Sequence, residues 1–164
     1  MNDFMRHKSI YEKKVRFIDD FVDKYIRIRH SKNFPHTAIG IVIKLLFPKS
    51  YKINKGWYKT AFYISSRKKD LVIKIGRTKN LKQDWKAYQK FPKGIRNKYF
   101  AKIYWHSKYC LLQKWGKAAK ISNKDPRIIK LKEKASYYGL NDIKPANTAF
   151  FDGKLKIIDA SIKK

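Results

Sequence analysis

Tyr137-Tyr-Gly-Leu-Asn-Asp-Ile-Lys-Pro-Ala-Asn-Thr-Ala-Phe-Phe-Asp-Gly-Lys-Leu-Lys-Ile-Ile-Asp-Ala-Ser161 is the stretch around which the rest of the chain is organised. Three of its side chains are candidates for chemistry: Asp142, Asn147 and Asp159. Phe150 and Phe151 lead into a turn at Asp152-Gly153, and Leu155-Lys-Ile-Ile runs on to Asp159. Asp-Gly between two apolar runs signals a hairpin, and a hairpin here returns Asp159 to the side of Asn147. A carboxylate and an amide facing one cavity suit a Mg²⁺ ion bound to phosphates, because that ion takes hard oxygen ligands and keeps several waters. Asp142 would then stand where it can take a proton from an attacking hydroxyl. Asp and Asn also cap turns locally. On this stretch alone both readings stand.

The whole chain narrows the choice. Its 164 residues suit one domain, or a small domain with an extension. Hydrophobic residues make up 43% and aromatics 15%, enough for a core, which excludes the disordered class despite the charge. A net charge of +29 points to an anionic partner: a nucleotide, nucleic acid, an acidic protein or a membrane surface. Lys is spread along the chain together with abundant Ile, Asn and Tyr, as an AT-rich genome would give. Charge alone therefore assigns no partner. The single cysteine, Cys110, excludes an intrachain disulfide and a multi-cysteine zinc site. It sits in an apolar run and reads as a buried thiol. His7, His30, His36 and His106 show no ligand spacing. The first residues are polar and charged, unlike a secretory leader. The apolar run Ala38 to Phe47 is broken by Lys44 and too short to span a bilayer. A cytoplasmic, intracellular protein is expected.

Along the chain, apolar residues at Tyr11, Val15, Ile18, Val22 and Tyr25 predict a helix from Ser9 to about His30, packed on the main domain. Thr37 to Phe47 suits either a helix or a strand, and Pro48 ends it. Short β runs follow at Tyr51 to Asn54, Thr60 to Ile64 and Asp70 to Ile75. Asn80 is placed to cap a helix carrying Leu81, Trp85, Tyr88 and Phe91, stopped by Pro92 and Gly94. Two more strands are expected at Tyr99 to Trp105 and Tyr109 to Trp115, with the turn at His106 to Lys108. Asp125 as N-cap, Pro126 at the first helical position and Gly139 just past the end mark a last helix. That helix runs straight into Asn141-Asp142.

Three strands, a helix, two strands, a link, a helix and a loop of this kind form the element order of the protein-kinase fold, which residues 51 to 161 resemble. Asp142-Ile-Lys-Pro-Ala-Asn147 resembles the tail of the kinase catalytic loop H-R-D-x-x-x-x-N. Val72-Ile73-Lys74 resembles the V-A-I-K strand, Leu111 to Gly116 the end of the fifth strand and the adenine hinge, and Ile157-Ile158-Asp159 the strand into D-F-G. The resemblance implies ATP and Mg²⁺ as cofactors. Lys74 would hold phosphates with Asp84 as its acidic partner, Gly56, Gln113 and Trp115 would contact nucleotide, and Asn147 and Asp159 would bind the metal. Asp142 would act as base, and Lys144 would stabilise the transferring phosphoryl group. The implied fold class is α+β, with a kinase-like N-lobe (a five-stranded antiparallel sheet plus one helix), a minimal truncated C-lobe and an N-terminal helical extension. The corresponding segments are 1–49, 50–116 and 117–164.

The departures are specific. Gly56 stands alone where G-x-G-x-x-G is expected, Leu140-Asn141 replace His-Arg, and Ala160-Ser161 replace Phe-Gly. With the sequence ending at Lys164, the plan lacks an activation loop, an A-P-E segment and a helical C-lobe. It resembles the short truncated kinase-like proteins of phages and bacteria. The expected function is a minimal ATP-dependent phosphotransferase acting on a serine/threonine-type or small-molecule hydroxyl. A nucleotide-binding pseudokinase or adaptor regulating a partner protein is the alternative. A third reading is a basic nucleic-acid-binding protein using Tyr58, Trp85 or Trp115.

Overall fold

The computed structural model describes residues 3–29, 34–55, 59–66 and 69–162. It is an α+β chain with five α-helices among those residues: α1 (Asp3–Arg29), α2 (His36–Leu46), α3 (Thr78–Lys90), α4 (Lys93–Tyr99) and α5 (Pro126–Tyr137). The main sheet is open and antiparallel. It holds β1 (Tyr51–Lys55), β2 (Lys59–Ser66), β3 (Lys69–Gly76), β4 (Ile103–His106) and β5 (Cys110–Lys114), in the order β1-β2-β3-β5-β4. The remaining strands are β6 (Lys117–Ala118), β7 (Leu140–Asn141), β8 (Thr148–Phe151), β9 (Lys154–Ile157) and β10 (Ser161–Ile162), paired as β6-β8-β9 and β10-β7. No described helix is long and apolar enough to cross a membrane. The chain divides into two compact units, Met1–Leu81 with Trp105–Leu112, and Lys82–Tyr104 with Gln113–Lys164.

In the first unit, Val15, Ile18 and Val22 recur at helical spacing on α1 and are buried, as are Ile39, Val42 and Ile43 on α2. The open choice at Thr37 to Phe47 is therefore a helix. Two carboxylates of α1 tie it to the β4–β5 turn. Asp19 accepts the Tyr109 N–H at 2.9 Å, and Asp23 takes the Tyr109 hydroxyl at 3.0 Å and the Lys108 ammonium. Burial pushes the Asp19 carboxyl up, whereas its bond from Lys108 holds Asp23 below the usual carboxylate range. Cys110 is a buried thiol, pushed well up by burial. On the sheet, Thr60↔Ile75, Phe62↔Ile73 and Ile64↔Leu71 are paired, and all six residues are buried. Alternation places Lys74, opposite Ala61, on the other face of β3 from Ile73 and Ile75.

In the second unit, Ala101, Ala149 and Phe151 form a buried cluster with Ile158 packed against it. Phe91 and Phe100 are fully buried with ring centroids 6.4 Å apart, and Ala101 N–H donates to the Ile157 carbonyl at 2.8 Å. Helix α5 has the ends its sequence announces. Asp125 accepts the Arg127 N–H at 2.9 Å, with the Arg127 guanidinium lowering the Asp125 carboxyl to about 2. Gly139 has φ 72, the left-handed conformation that glycine adopts at no cost past a helix end. Asp152 (φ 51) and Gly153 (φ 76) make the two-residue turn between β8 and β9, both in the left-handed region as a type I′ turn requires.

One expectation is corrected. Residues assigned to a strand starting at Tyr99 instead end helix α4, and β4 begins only at Ile103. Pro92 does stop α3, but a proline is also well suited to precede a helix. Arg96 then locks the new turn by donating Nε–H to the Phe91 carbonyl at 3.1 Å. Gly94 is harmless there, with nothing within 4 Å of the position a Cβ would take. The one helix expected between β3 and β4 is thus two.

Gly116 is different. A Cβ there would meet the Phe151 ring at 2.5 Å. Phe151 is buried and cannot swing into solvent. Gly116→Ala is expected to cost about 1–3 kcal/mol of stability by overpacking. Urea unfolding checks this, and an unchanged midpoint would show that the ring has room to move.

Candidate functional site

The candidate site is built within the second unit by two short strand pairings. Strand β7 pairs with β10 through Asn141↔Ser161 and Leu140↔Ile162. This brings the residue after β7, Asp142, to the neighbourhood of the segment just before β10, which contains Asp159. Strand β8 pairs with β9 through Thr148↔Ile157. The Asn147 carbonyl then accepts the N–H of Ile158 at 2.9 Å and of Asp159 at 3.3 Å. Asp159 is clamped from both sides. The hairpin expectation that Asn147 and Asp159 come together is met.

Between the pairings, Lys144 to Asn147 form a single 3₁₀ turn, with Asn147 N–H donating to the Lys144 carbonyl at 2.8 Å. Thr148 Oγ1 donates to the Pro145 carbonyl at 2.9 Å and closes the turn. Asp142 has φ 58, a left-handed conformation that Asp tolerates better than most residues. Asn147 Nδ2 donates to the Asp142 carbonyl at 2.7 Å and to Asp142 Oδ2 at 3.0 Å. Lys144 Nζ lies 2.9 Å from Asp142 Oδ1. Both carboxylate oxygens of Asp142 are thereby oriented, although its side chain remains 47% exposed.

The residues gathered at the turn offer hard oxygen donors of the kind a magnesium–phosphate site would use. Both bonds of Asn147 use its nitrogen, which turns its amide oxygen away from Asp142 as a hard donor. Asp159, half-buried, carries a carboxylate on the segment whose backbone bonds Asn147. One or two protein oxygens are what Mg²⁺ takes when substrate phosphates complete its shell. Among the described residues no group of three or more His, Cys, Asp or Glu could hold a metal on its own.

Beside Asp142 lies a groove of about 270 Å³ lined by Lys132, Ser136, Leu140, Asn141, Asp142 and Ile143. Sequence reading did not single out Lys132 or Ser136. Their signal is the i, i+4 spacing on the side of α5 that runs into the loop. The groove joins a cation, a hydroxyl and an amide to an apolar floor, a lining able to seat a small polar acceptor.

The remaining site candidates are placed as follows. Lys74 is buried on β3 at 7% exposure and Asp84 is buried on α3 at 4%. Lys and Asp are almost never this buried unless paired. Gln113 is buried and donates through Nε2 to the Ala101 carbonyl at 3.4 Å. Trp115 is half-buried. Trp85 is half-buried too, with its ring centroid 5.8 Å from that of Tyr88. Gly56 and Tyr58 lie outside the described residues. No protein-family model matches the chain, and no curated protein matches it significantly.

Proposed function

We propose that the chain is a minimal kinase-like phosphotransferase that moves the terminal phosphoryl group of ATP to a hydroxyl. The observation that carries this reading is the joint placement of Asp142, Lys144, Asn147 and Asp159. Two strand pairings and two amide bonds gather them around one turn. In this reading Asp142 accepts the proton of the acceptor hydroxyl as its oxygen bonds to the terminal phosphorus and ADP leaves. Lys144, already beside Asp142, offsets negative charge on the transferring group. Asn147 and Asp159 would hold Mg²⁺, whose chemistry is to neutralise phosphate charge. The acceptor enters the groove flanked by Lys132 and Ser136.

Calorimetry with Mg-ATP, followed by label transfer from γ-labelled ATP to protein, small-molecule hydroxyls and RNA, tests the proposal. Magnesium-dependent binding and transfer to one acceptor class are expected. Binding without transfer to any acceptor would make the chain a nucleotide-binding adaptor. Absence of magnesium-dependent binding would overturn both readings.

A further inference from the structure

Helix α5 carries four cations, Arg127, Lys130, Lys132 and Lys134, against one acid, Glu133. Lys130, Lys134 and Tyr137 follow at i, i+4 and i+7, so they share one stripe of the helix. Tyr137 is 79% exposed, an unusual place to leave a large aromatic ring. It stands perpendicular to Tyr138, with ring centroids 5.0 Å apart. Lys134 Nζ lies 5.5 Å from the Tyr137 centroid, 5.6 Å from Tyr138 and 5.8 Å from Tyr99. Lys98 Nζ lies 5.4 Å from Tyr99. This group is not a loose surface fringe. Tyr99 and Tyr138 rest on the fully buried Phe91, at 5.6 and 4.7 Å between centroids. The core thus backs Tyr99 and Tyr138, Tyr137 stands against Tyr138, and lysines rim the group.

We infer that this face binds single-stranded nucleic acid, with a base stacked on Tyr137 and neighbouring phosphates held by Lys98, Lys130 and Lys134. Stacking needs an exposed, pre-positioned ring, and every unpaired base offers a π-face to it. The lysines supply the matching charge, on a chain whose overall excess is +29. A duplex hides its bases and satisfies only the lysines. An anionic membrane would want apolar side chains that insert, whereas here the exposed ring is paired with the Lys134 ammonium. The inference uses none of the residues assigned to phosphoryl transfer and stands or falls apart from it.

Fluorescence anisotropy of labelled twelve-nucleotide RNA and DNA single strands, titrated with the full chain at several salt concentrations, reads the interaction. Tyr137→Ala is expected to weaken binding of both strands about tenfold while leaving the salt dependence unchanged. Tyr137→Phe is expected to bind as the parent does, because the ring is kept. Lys130→Gln and Lys134→Gln are expected to lower the slope of log affinity against log salt by about 0.7 each. Circular dichroism melting confirms that the variants fold. The proposal is overturned if Tyr137→Ala binds single strands as tightly as the parent. It is also overturned if duplex DNA, or vesicles rich in anionic lipid, bind as tightly as single strands and respond equally to the lysine changes.

Discussion

Lys74→Met is expected to leave the chain folded and to weaken Mg-ATP binding about 10- to 100-fold. The expectation starts from burial. Lys74 is 7% exposed, on the opposite face of β3 from the core residues Ile73 and Ile75. An ordinary surface lysine would carry its ammonium to water, so a buried one has work to do inside. Methionine matches the unbranched stem and fills irregular space without charge. On the proposed reading it removes a charge-assisted contact to phosphate, worth about 1.5–3 kcal/mol in typical cases. Because a change at a buried position can itself cost stability, thermal melting must accompany the binding measurement. Asp84→Asn alone and combined with Lys74→Met completes a cycle that tests whether the two residues act together. Unchanged affinity and turnover in folded Lys74→Met would count decisively against a kinase-like site.

What could be read in the amino acids follows the physical strength of each signal. Helix α5 and the β8–β9 hairpin were legible because their ends are set by local chemistry. Asp125, Pro126, Gly139 and Asp152-Gly153 each demand a particular backbone conformation that the structure adopts. The three strands from Tyr51 were legible from short apolar runs bounded by turn residues. Helix α4 was hidden, because Pro92 and Gly94 read as a stop and the seven residues from Lys93 give too little periodicity to override it. Asn147 and Asp159 were legible as neighbours through the Asp-Gly turn. The groove was not, because Lys132 and Ser136 gain meaning only from where the loop lies. That position depends on the two-residue strands β7 and β10, which are too short to leave a pattern. Tyr137 and Lys134 were missed for a related reason. Helical spacing sorts residues into faces, but it does not show that Tyr137 stands against Tyr138, which itself rests on Phe91.

Asp142→Asn and Asp159→Asn are expected to fail in different ways, and the difference separates proton transfer from metal holding. At Asp142 the substitution is gentle on the backbone, since Asn also tolerates the left-handed φ of 58 found there. The amide oxygen of Asn can still face Lys144 or the Asn147 amide, so the turn is preserved. The lost property is basicity. Turnover is expected to fall about 10²- to 10⁴-fold while Mg-ATP affinity stays near that of the parent. Asp159 is different because its carboxylate is proposed to grip the nucleotide through the ion. Asp159→Asn keeps the shape and its N–H bond to Asn147, but it removes a formal charge from the ligand set. Mg-ATP affinity is expected to fall at least about tenfold, with turnover falling alongside. Calorimetry and label transfer on both variants decide the assignment. If Asp142→Asn loses nucleotide affinity and Asp159→Asn retains it, the two roles are reversed. If both bind as the parent does and transfer as fast, the turn gathers these residues for structure alone, and the catalytic assignment falls.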